Sequence, residues 1–334
     1  MNKIRAASVG LGWWSNELAQ SIQGKSDLIE IVSCYSRSQD KTRAFAQEFG
    51  TNVHSTYEEL LSDESIDAVI LTTPHSLHAQ HVIEAAKSGK HIFVEKPFTL
   101  TFESAKKAIR ACDDAKVVLA VGHNRRFATS SNKLKQFSKG RTIGTLLHLE
   151  ANFSAPSAMS YTPEKWRANR TESPAGGIAG LGIHLIDLMC WIAGPIESVT
   201  AQAKRRVLPV DIDDTTSVLF EFQSGATGYL GCMFAAPYTS ILNVYGMKMN
   251  IFTEIDGEVF SAKTIEGKFE KAKYDKIDTL KEELEEFALD CLGKRKFRVT
   301  PAQAASNVSV MEAIVKSTEL GRKVRVPTSS EKVW

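Results

Sequence analysis

The sequence predicts an α/β protein of two domains: a doubly wound parallel sheet first, then an α+β domain dominated by antiparallel strands. Three observations predict it. The chain has 334 residues, more than a single core of roughly 150 residues usually holds. Strand-like and helix-like runs alternate up to about residue 125, the order that builds a parallel sheet with helices on both faces. Beyond that point strand-like alternation takes over, broken by turns such as Gln223-Ser224-Gly225, which favour hairpins.

Each element has its own reason. Ile4 to Val9 is an apolar strand run ending in glycine, and Leu18 to Ile22 falls in the amphipathic helix after it. Ile29 to Val32 opens a strand that ends near Ser36, and a helix from Lys41 to Phe49 stops at Gly50. A short helix at Tyr57 to Leu61, a strand at Ile66 to Leu71 and a helix from Leu77 to Lys87 follow. A strand at His91 to Val94, a helix from Thr101 to Ala115 and a strand at Val117 to Val121 complete the alternation. These strands are nearly continuous apolar runs, as sheets covered on both faces require. After a helix over Thr129 to Ser138, strands are predicted at 146–153, 199–206, 216–222, 228–234 and 241–245. Helices over Thr279 to Leu292 and Pro301 to Leu320 come last, the second with proline in its first turn. The domains are therefore expected at 1–124 and 125–334, with the C-terminal helices free to pack back on the first.

Bulk properties exclude several classes. A net charge of +2, with only short basic runs such as Lys204-Arg205-Arg206 and Lys294-Arg295-Lys296, is no nucleic-acid signature. No apolar run approaches the roughly 18 residues of a membrane span, and the apolar stretch near the start runs into Gly10-Leu11-Gly12 without a cleavage-type site. The five cysteines show no C-x-x-C pair or zinc-ligand spacing, so they read as reduced thiols of a cytoplasmic protein. His75, His78 and His81 do not share one tight helical face, so no metal site is expected there. Asp211 to Asp214 reads as a turn before a strand.

Chemistry enters at Gly10-Leu11-Gly12-Trp13-Trp14-Ser15, a G-x-G-x-x-S loop between the first strand and the first helix. The first glycine permits the tight turn. The second lets backbone approach a pyrophosphate resting on the helix N-terminus. This predicts a dinucleotide-binding domain of Rossmann type. An NAD-specific domain usually ends its second strand with Asp or Glu, but no carboxylate lies between Glu30 and Asp40. Ser36-Arg37-Ser38 offers hydroxyls and a guanidinium suited to a 2′-phosphate. NADP(H) is the expected cofactor, with NAD(H) the alternative.

At Glu95-Lys96-Pro97 the chain resembles the glucose–fructose oxidoreductase / inositol dehydrogenase / MocA (Gfo/Idh/MocA) family. The resemblance is carried also by Thr73-Pro74-His75-Ser76-Leu77-His78, Gly89-Lys90-His91, Gly122-His123-Asn124-Arg125-Arg126-Phe127, Trp166-Arg167, and Gly176-Gly177 through Gly182-Ile183-His184. It implies a Rossmann domain followed by an α+β domain with an open, mostly antiparallel sheet. It also implies metal-free oxidation or reduction of a secondary alcohol/ketone pair on sugars and cyclitols, in dimers or tetramers.

Hydride transfer from an alcohol carbon needs a group that takes the hydroxyl proton. Lys96 is the leading candidate. It follows an apolar strand at the ligand-binding end of a parallel sheet, where partial burial and the positive ring of an oxidised cofactor favour its neutral amine. Glu95 is expected to orient the nicotinamide ribose or Lys96. His184 is the second acid/base candidate, with Asp187 one turn on to orient it. The resemblance implies an Asp four residues before this histidine, but Gly180 stands there; the sparse side chains around it suggest room for a large substrate. Gly180 and Arg126 join Lys96, Trp166 and His184 as the substrate-binding set. Gly10, Gly12, Trp13, Trp14, Ser36, Arg37, Thr72, Thr73, Pro74, His78, Glu95, Lys96, Asn124, Trp166 and Arg167 form the cofactor-binding set. The expected partners are a small polyol or carbonyl substrate and further copies of the chain, meeting through the second domain's sheet. A dehydrogenase of a cyclic dihydrodiol or hydroxy acid, and a non-catalytic dinucleotide sensor, are the alternatives.

Overall fold

The structure is a computed structural model that describes residues 3–139, 142–254 and 257–327. The first elements are β1 (Ile4–Val9), α1 (Trp13–Ile22), β2 (Ile29–Tyr35), α2 (Gln39–Phe49), β3 (Asn52–Val53), α3 (Tyr57–Ser62) and β4 (Ala68–Leu71). There follow α4 (His78–Lys87), β5 (His91–Glu95), α5 (Phe102–Ala115), β6 (Leu119–Gly122), α6 (Thr129–Ser138), β7 (Leu146–Ser154) and α7 (Ile183–Ala193). Then come β8 (Ile196–Lys204), β9 (Thr215–Phe222), β10 (Thr227–Met233), β11 (Thr239–Gly246), β12 (Met249–Glu254), β13 (Val259–Thr264) and β14 (Phe269–Lys273). The last are α8 (Thr279–Cys291), α9 (Pro301–Leu320) and β15 (Val324–Arg325).

Two compact units result. The first joins Met1–Asn124 to Asp278–Ala305; the second joins Arg125–Ile277 to the chain from Ser306 onward. Relative to a single cut after Asn124, residues 278–305 are thus reassigned to the first unit.

The first unit holds a six-stranded sheet in the order β3-β2-β1-β4-β5-β6, with every pairing parallel. This is the doubly wound Rossmann order. Side chains of β4 and β6 are buried throughout, because helices cover both faces. Local signals start the helices. Ser38 accepts the Lys41 N–H at α2, Thr56 that of Glu59 at α3, and Thr101 that of Ser104 at α5. Each such cap contributes about 1 kcal/mol.

The second unit holds a nine-stranded sheet, β14-β13-β12-β11-β7-β10-β9-β8-β15. Only β7 and β10 pair in parallel among its described ladders; the others are antiparallel. Alternate residues Leu149, Ala151 and Phe153 of β7, and Val218, Phe220 and Phe222 of β9, are buried. The helix α7, apolar on nearly all sides and buried from Ile183 to Cys190, packs on β7. Strands β12 to β14 were not anticipated; the short β15 was not either.

Candidate active site

In the first unit, the predicted cofactor residues cluster at the carboxyl ends of the parallel strands. Gly10 follows β1 with φ +89°. A Cβ there would lie 2.7 Å from Thr73 Cγ2 and 2.8 Å from Thr73 N, so only glycine fits both the turn and its neighbour. The Gly10 carbonyl accepts from the Thr72 hydroxyl, and its N–H donates to Tyr35 O at 3.0 Å. Gly12 differs: a Cβ there would meet nothing within 4 Å. It starts α1 with no side-chain cap and no acidic residue in the first turn. First-turn amides of a helix lack intrahelical partners, and such a terminus with open space beside Gly12 fits a dinucleotide pyrophosphate. Ser15, in the place of a third glycine, is buried and donates to the Gly12 carbonyl at 2.8 Å. Trp13 is 72% exposed. Trp14 is half-buried, with its ring centroid 5.3 Å from that of Trp13; its Nε1 has no hydrogen-bond partner among the described residues.

After β2, Ser36 bonds to Thr42 Oγ1 at 3.1 Å; burial first, and the nearby exposed Arg37 in smaller part, disfavour the charged form of His81. The nearest following carboxylate, Asp40, is paired with Arg43 at 2.6 Å. Thr73 Oγ1 lies 3.2 Å from His81 Nδ1, and the Pro74 carbonyl accepts from Leu77 N at 3.0 Å.

His78 requires a correction. It is fully buried, with Nδ1 2.9 Å from Pro97 O and Nε2 2.9 Å from Thr73 O. The neutral ring has one N–H, so one nitrogen donates to one of these carbonyls while the other nitrogen is enclosed beside the second. Its part is to tie the Lys96–Pro97 segment to the Thr73 loop rather than to touch cofactor. Burial, only partly opposed by these carbonyls, pushes the imidazole down to about 4.

Glu95 and Lys96 close β5. Glu95 is buried, and its Oε2 accepts the Lys96 N–H at 3.2 Å. A Cβ on Gly122 would come within 2.7 Å of Glu95 Oε1, so a residue without a side chain is needed there to seat the carboxyl. Lys96 is half-buried and precedes a cis peptide to Pro97. Asn124 Nδ2 donates to Thr279 Oγ1 at 3.3 Å, fixing the start of α8 to the end of β6.

Sequence reasoning missed Glu283. It lies on α8, fully buried beside the charges of Glu95 and Lys96. A signal was available: with Leu280, Leu284, Phe287 and Cys291, it falls on the apolar stripe of that helix, where a lone glutamate is out of place.

In the second unit, His184 sits in the first turn of α7, 8% exposed, its ring 6.0 Å from that of Phe153. Asp187 is taken by other groups: Arg126 forks onto it through Nε and Nη2, both at 2.6 Å, and Asn307 donates at 2.7 Å. Arg126 is therefore corrected from substrate contact to internal support, being 1% exposed. Gly180 is corrected too. It lies in a π-helical turn, Ile178–Gly182, where a Cβ would meet Phe234 Cζ at 2.9 Å. Phe234 belongs to a buried cluster with Ala158, Ala168, Leu208, Val210 and Ile212. In the direction a side chain would take, the space beside Gly180 holds an aromatic ring. Trp166 and exposed Arg167 form a cation–π pair, with Cζ 4.0 Å from the ring centroid. Asp213 and Asp211 pair with Arg170, and Asp214 accepts the N–H groups of Arg206, Val207 and Leu208, so this acidic run organises the turn before β9. Among the described residues, no three His, Cys, Asp or Glu side chains group as metal ligands, and no helix is long and apolar enough to cross a membrane.

Comparisons agree with this architecture. A solved structure of an oxidoreductase designated NADPH-dependent, from Desulfitobacterium hafniense, superimposes with TM-score 0.91 at 28% identity, over 98% of each chain. A myo-inositol 2-dehydrogenase of Thermotoga maritima is 28% identical over 75% of both chains. An uncharacterized oxidoreductase of Streptococcus pneumoniae is 32% identical over 59% of this chain; the match spans about half of that relative, 52%. Residues 4–123 match the oxidoreductase family with an NAD-binding Rossmann fold, Gfo/Idh/MocA, and residues 131–252 match the C-terminal domain of the same family. With both halves matched in order, and the Gly10 turn and Glu95-Lys96-Pro97 in their places, the chain belongs to the Gfo/Idh/MocA oxidoreductase family.

Proposed function

We propose that the chain is an NAD(P)-dependent oxidoreductase acting on the secondary alcohol/ketone pair of a sugar, cyclitol or related polyol. The observation that carries this reading is the half-buried Lys96, backed by Glu95, at the carboxyl end of β5. It shares a unit with a Gly10–Gly12 turn whose open face suits a pyrophosphate. The relative named for myo-inositol supports the substrate class.

The bound nicotinamide supplies the hydride acceptor or donor. Lys96 Nζ takes the hydroxyl proton on oxidation and returns it on reduction, so a metal is not needed for the proton step. Glu95 holds the Lys96 backbone and orients this end of the site. His184 is the second acid/base group in this reading. The absence of a carboxylate after β2, with exposed Arg37 in its place, supports NADP(H) over NAD(H). In Lys96→Ala, turnover with a polyol panel should fall at least about 100-fold while cofactor still binds; unchanged turnover refutes the assignment. In Arg37→Ala the NADP dissociation constant should rise roughly 10- to 100-fold, as loss of one charge-assisted contact implies, while that for NAD stays within a few-fold. Tighter binding of NAD than of NADP by the wild type overturns the preference.

We also propose a homo-oligomer formed through one face of the nine-stranded sheet. Exposed Thr200 and Leu219, then Tyr229 and Glu150, lie in register across β8, β9, β10 and β7. Leu219 is 58% exposed with Tyr229 opposite it, an apolar spot on an otherwise mixed polar face that a second copy would cover. Light scattering at micromolar concentration should give a multiple of the monomer mass, reduced by Leu219→Arg; a monomer contradicts the assembly.

A further inference from the structure

Glu283 is buried completely, and neither of its carboxyl oxygens has a hydrogen-bond partner among the described residues. A carboxyl so placed has no evident reason to be retained for stability, since burial without partners is costly.

Its position is fixed by three contacts of its own unit. Thr279, at the start of α8, is bonded to Asn124 just beyond the carboxyl end of β6. Phe287, two turns on, packs edge-on against Phe93 of β5, with ring centroids 5.8 Å apart. Glu283 lies between these anchors, on the same helix face as both. On the strand side, Phe93 and Glu95 are two residues apart and so share a face; both bear on the same point above Gly122. The seam that joins Phe287 to Phe93 therefore continues from Glu283 to Glu95. Arg298, the cation closest in sequence to α8 that bears on Glu283, is already forked onto Glu286 at 2.9 and 2.7 Å.

We infer that Glu283 is a positioning residue for Lys96: its buried carboxylic acid exchanges a proton with the Glu95–Lys96 pair and so sets the charge that Lys96 carries. The inference rests on the reading of Lys96 as the acid/base. The exchange is balanced. Net, a proton leaves the Glu283 carboxyl and one is taken up by the Lys96 amine, converting acid and amine to carboxylate and ammonium through their shared field rather than along a hydrogen bond. With Glu283 protonated, Glu95 is the single ionised carboxylate of the trio, and Lys96 is free to serve as the base. With Glu283 ionised, two carboxylates hold Lys96 as ammonium, unable to accept a substrate proton. The charged groups that bear on Glu283 are consistent with such a balance. Burial and the Glu95 carboxylate, with Asp278 further off, favour the acid; Lys96 and Arg298 favour the carboxylate, and the acid prevails well above the ordinary glutamate range. The pH dependence of this site accordingly belongs to the coupled groups together.

The test is infrared titration of the full chain, with the protonated-carboxyl stretch assigned to Glu283 by its loss in Glu283→Gln. The stretch should persist at neutral pH. Its midpoint should rise in Lys96→Ala, which removes a cation, and fall in Glu95→Gln, which removes an anion, each by about one pH unit or more. A midpoint in the ordinary carboxylate range, or one that neither variant moves, overturns the inference. Glu283→Gln keeps the shape of the neutral acid, so it should fold as the wild type. In that variant the acid limb of kcat/KM for alcohol oxidation should shift to lower pH, because the ammonium–carboxylate form no longer competes. A superimposable profile also overturns the inference. If no polyol is turned over, the functional reading fails, and the infrared titration still decides the role of Glu283.

Discussion

Two single residues decide questions that motif matching leaves open. At Gly180, the ring of Phe234 already occupies the path of any side chain. Gly180→Asp should therefore lower stability by about 1–3 kcal/mol through overpacking, with Phe234→Ala restoring part of it in thermal unfolding. An Asp introduced without that relief has no place to act. His78 makes stability depend on pH. Its folded-state value of about 4 lies below the 6.5 of an ordinary imidazole. Between these values the unfolded chain takes up a proton that the folded chain refuses. The stabilisation is complete above pH 6.5 and is lost as pH falls towards 4. From this group alone, the protein should be about 2 kcal/mol less stable at pH 5 than at pH 7. Urea unfolding at the two pH values should show a smaller difference in His78→Gln; an equal difference assigns the dependence elsewhere.

At the scale of elements, α7 shows how a buried pair is used. Its Asp187, held by Arg126 and Asn307, fixes the helix that carries His184. Arg126→Ala leaves a buried carboxylate without its main partner and should cost about 3–5 kcal/mol, whereas Arg126→Met with Asp187→Leu should recover most of it. Denaturant midpoints of the two variants distinguish the cases. Periodicity and start signals made α2 and α5 legible in the sequence, and the first-turn Pro301 marked the start of α9. The glycine turn was legible because its backbone geometry admits few residue types, and the end of β5 because Glu95-Lys96-Pro97 resembles a family motif. Strands β12 to β14 were not legible. Met249–Glu254 and Phe269–Lys273 carry mixed polar sequence, and the latter is exposed along its whole length; such strands are held by ladder hydrogen bonds, which leave no mark on hydrophobic pattern. Spacing left Arg126 open between the cleft and an ion pair and gave Gly180 no neighbour, because burial by a partner remote in sequence cannot be inferred from spacing. Glu283 was overlooked among the charges of Lys281 to Glu286, a run that looks like a solvated face until the stripe is followed.

At the scale of the molecule, the first unit is assembled from two stretches of chain separated by more than a hundred residues of the second. The helix α8 packs on α1, β2 and β5; without it and the residues that follow it, Phe93 loses its contacts with Phe287 and Phe297. A fragment ending at Asn124 should therefore expose apolar surface and bind hydrophobic dyes, while a fusion of 1–124 to 278–305 through a short flexible linker should bind cofactor; failure of the fusion would place the missing determinants elsewhere.

The discontinuity also has a consequence in time. Translation proceeds from the amino end, so the six strands of the dinucleotide sheet leave the ribosome long before α8 does. Until roughly nine-tenths of the chain has been made, that sheet stands with one flank uncovered, and the nascent polypeptide is most exposed to chaperones and to aggregation in this interval. Synonymous changes that slow elongation between the codons for Arg125 and Asp278 should lengthen it, and lower the yield of soluble protein without altering a single residue.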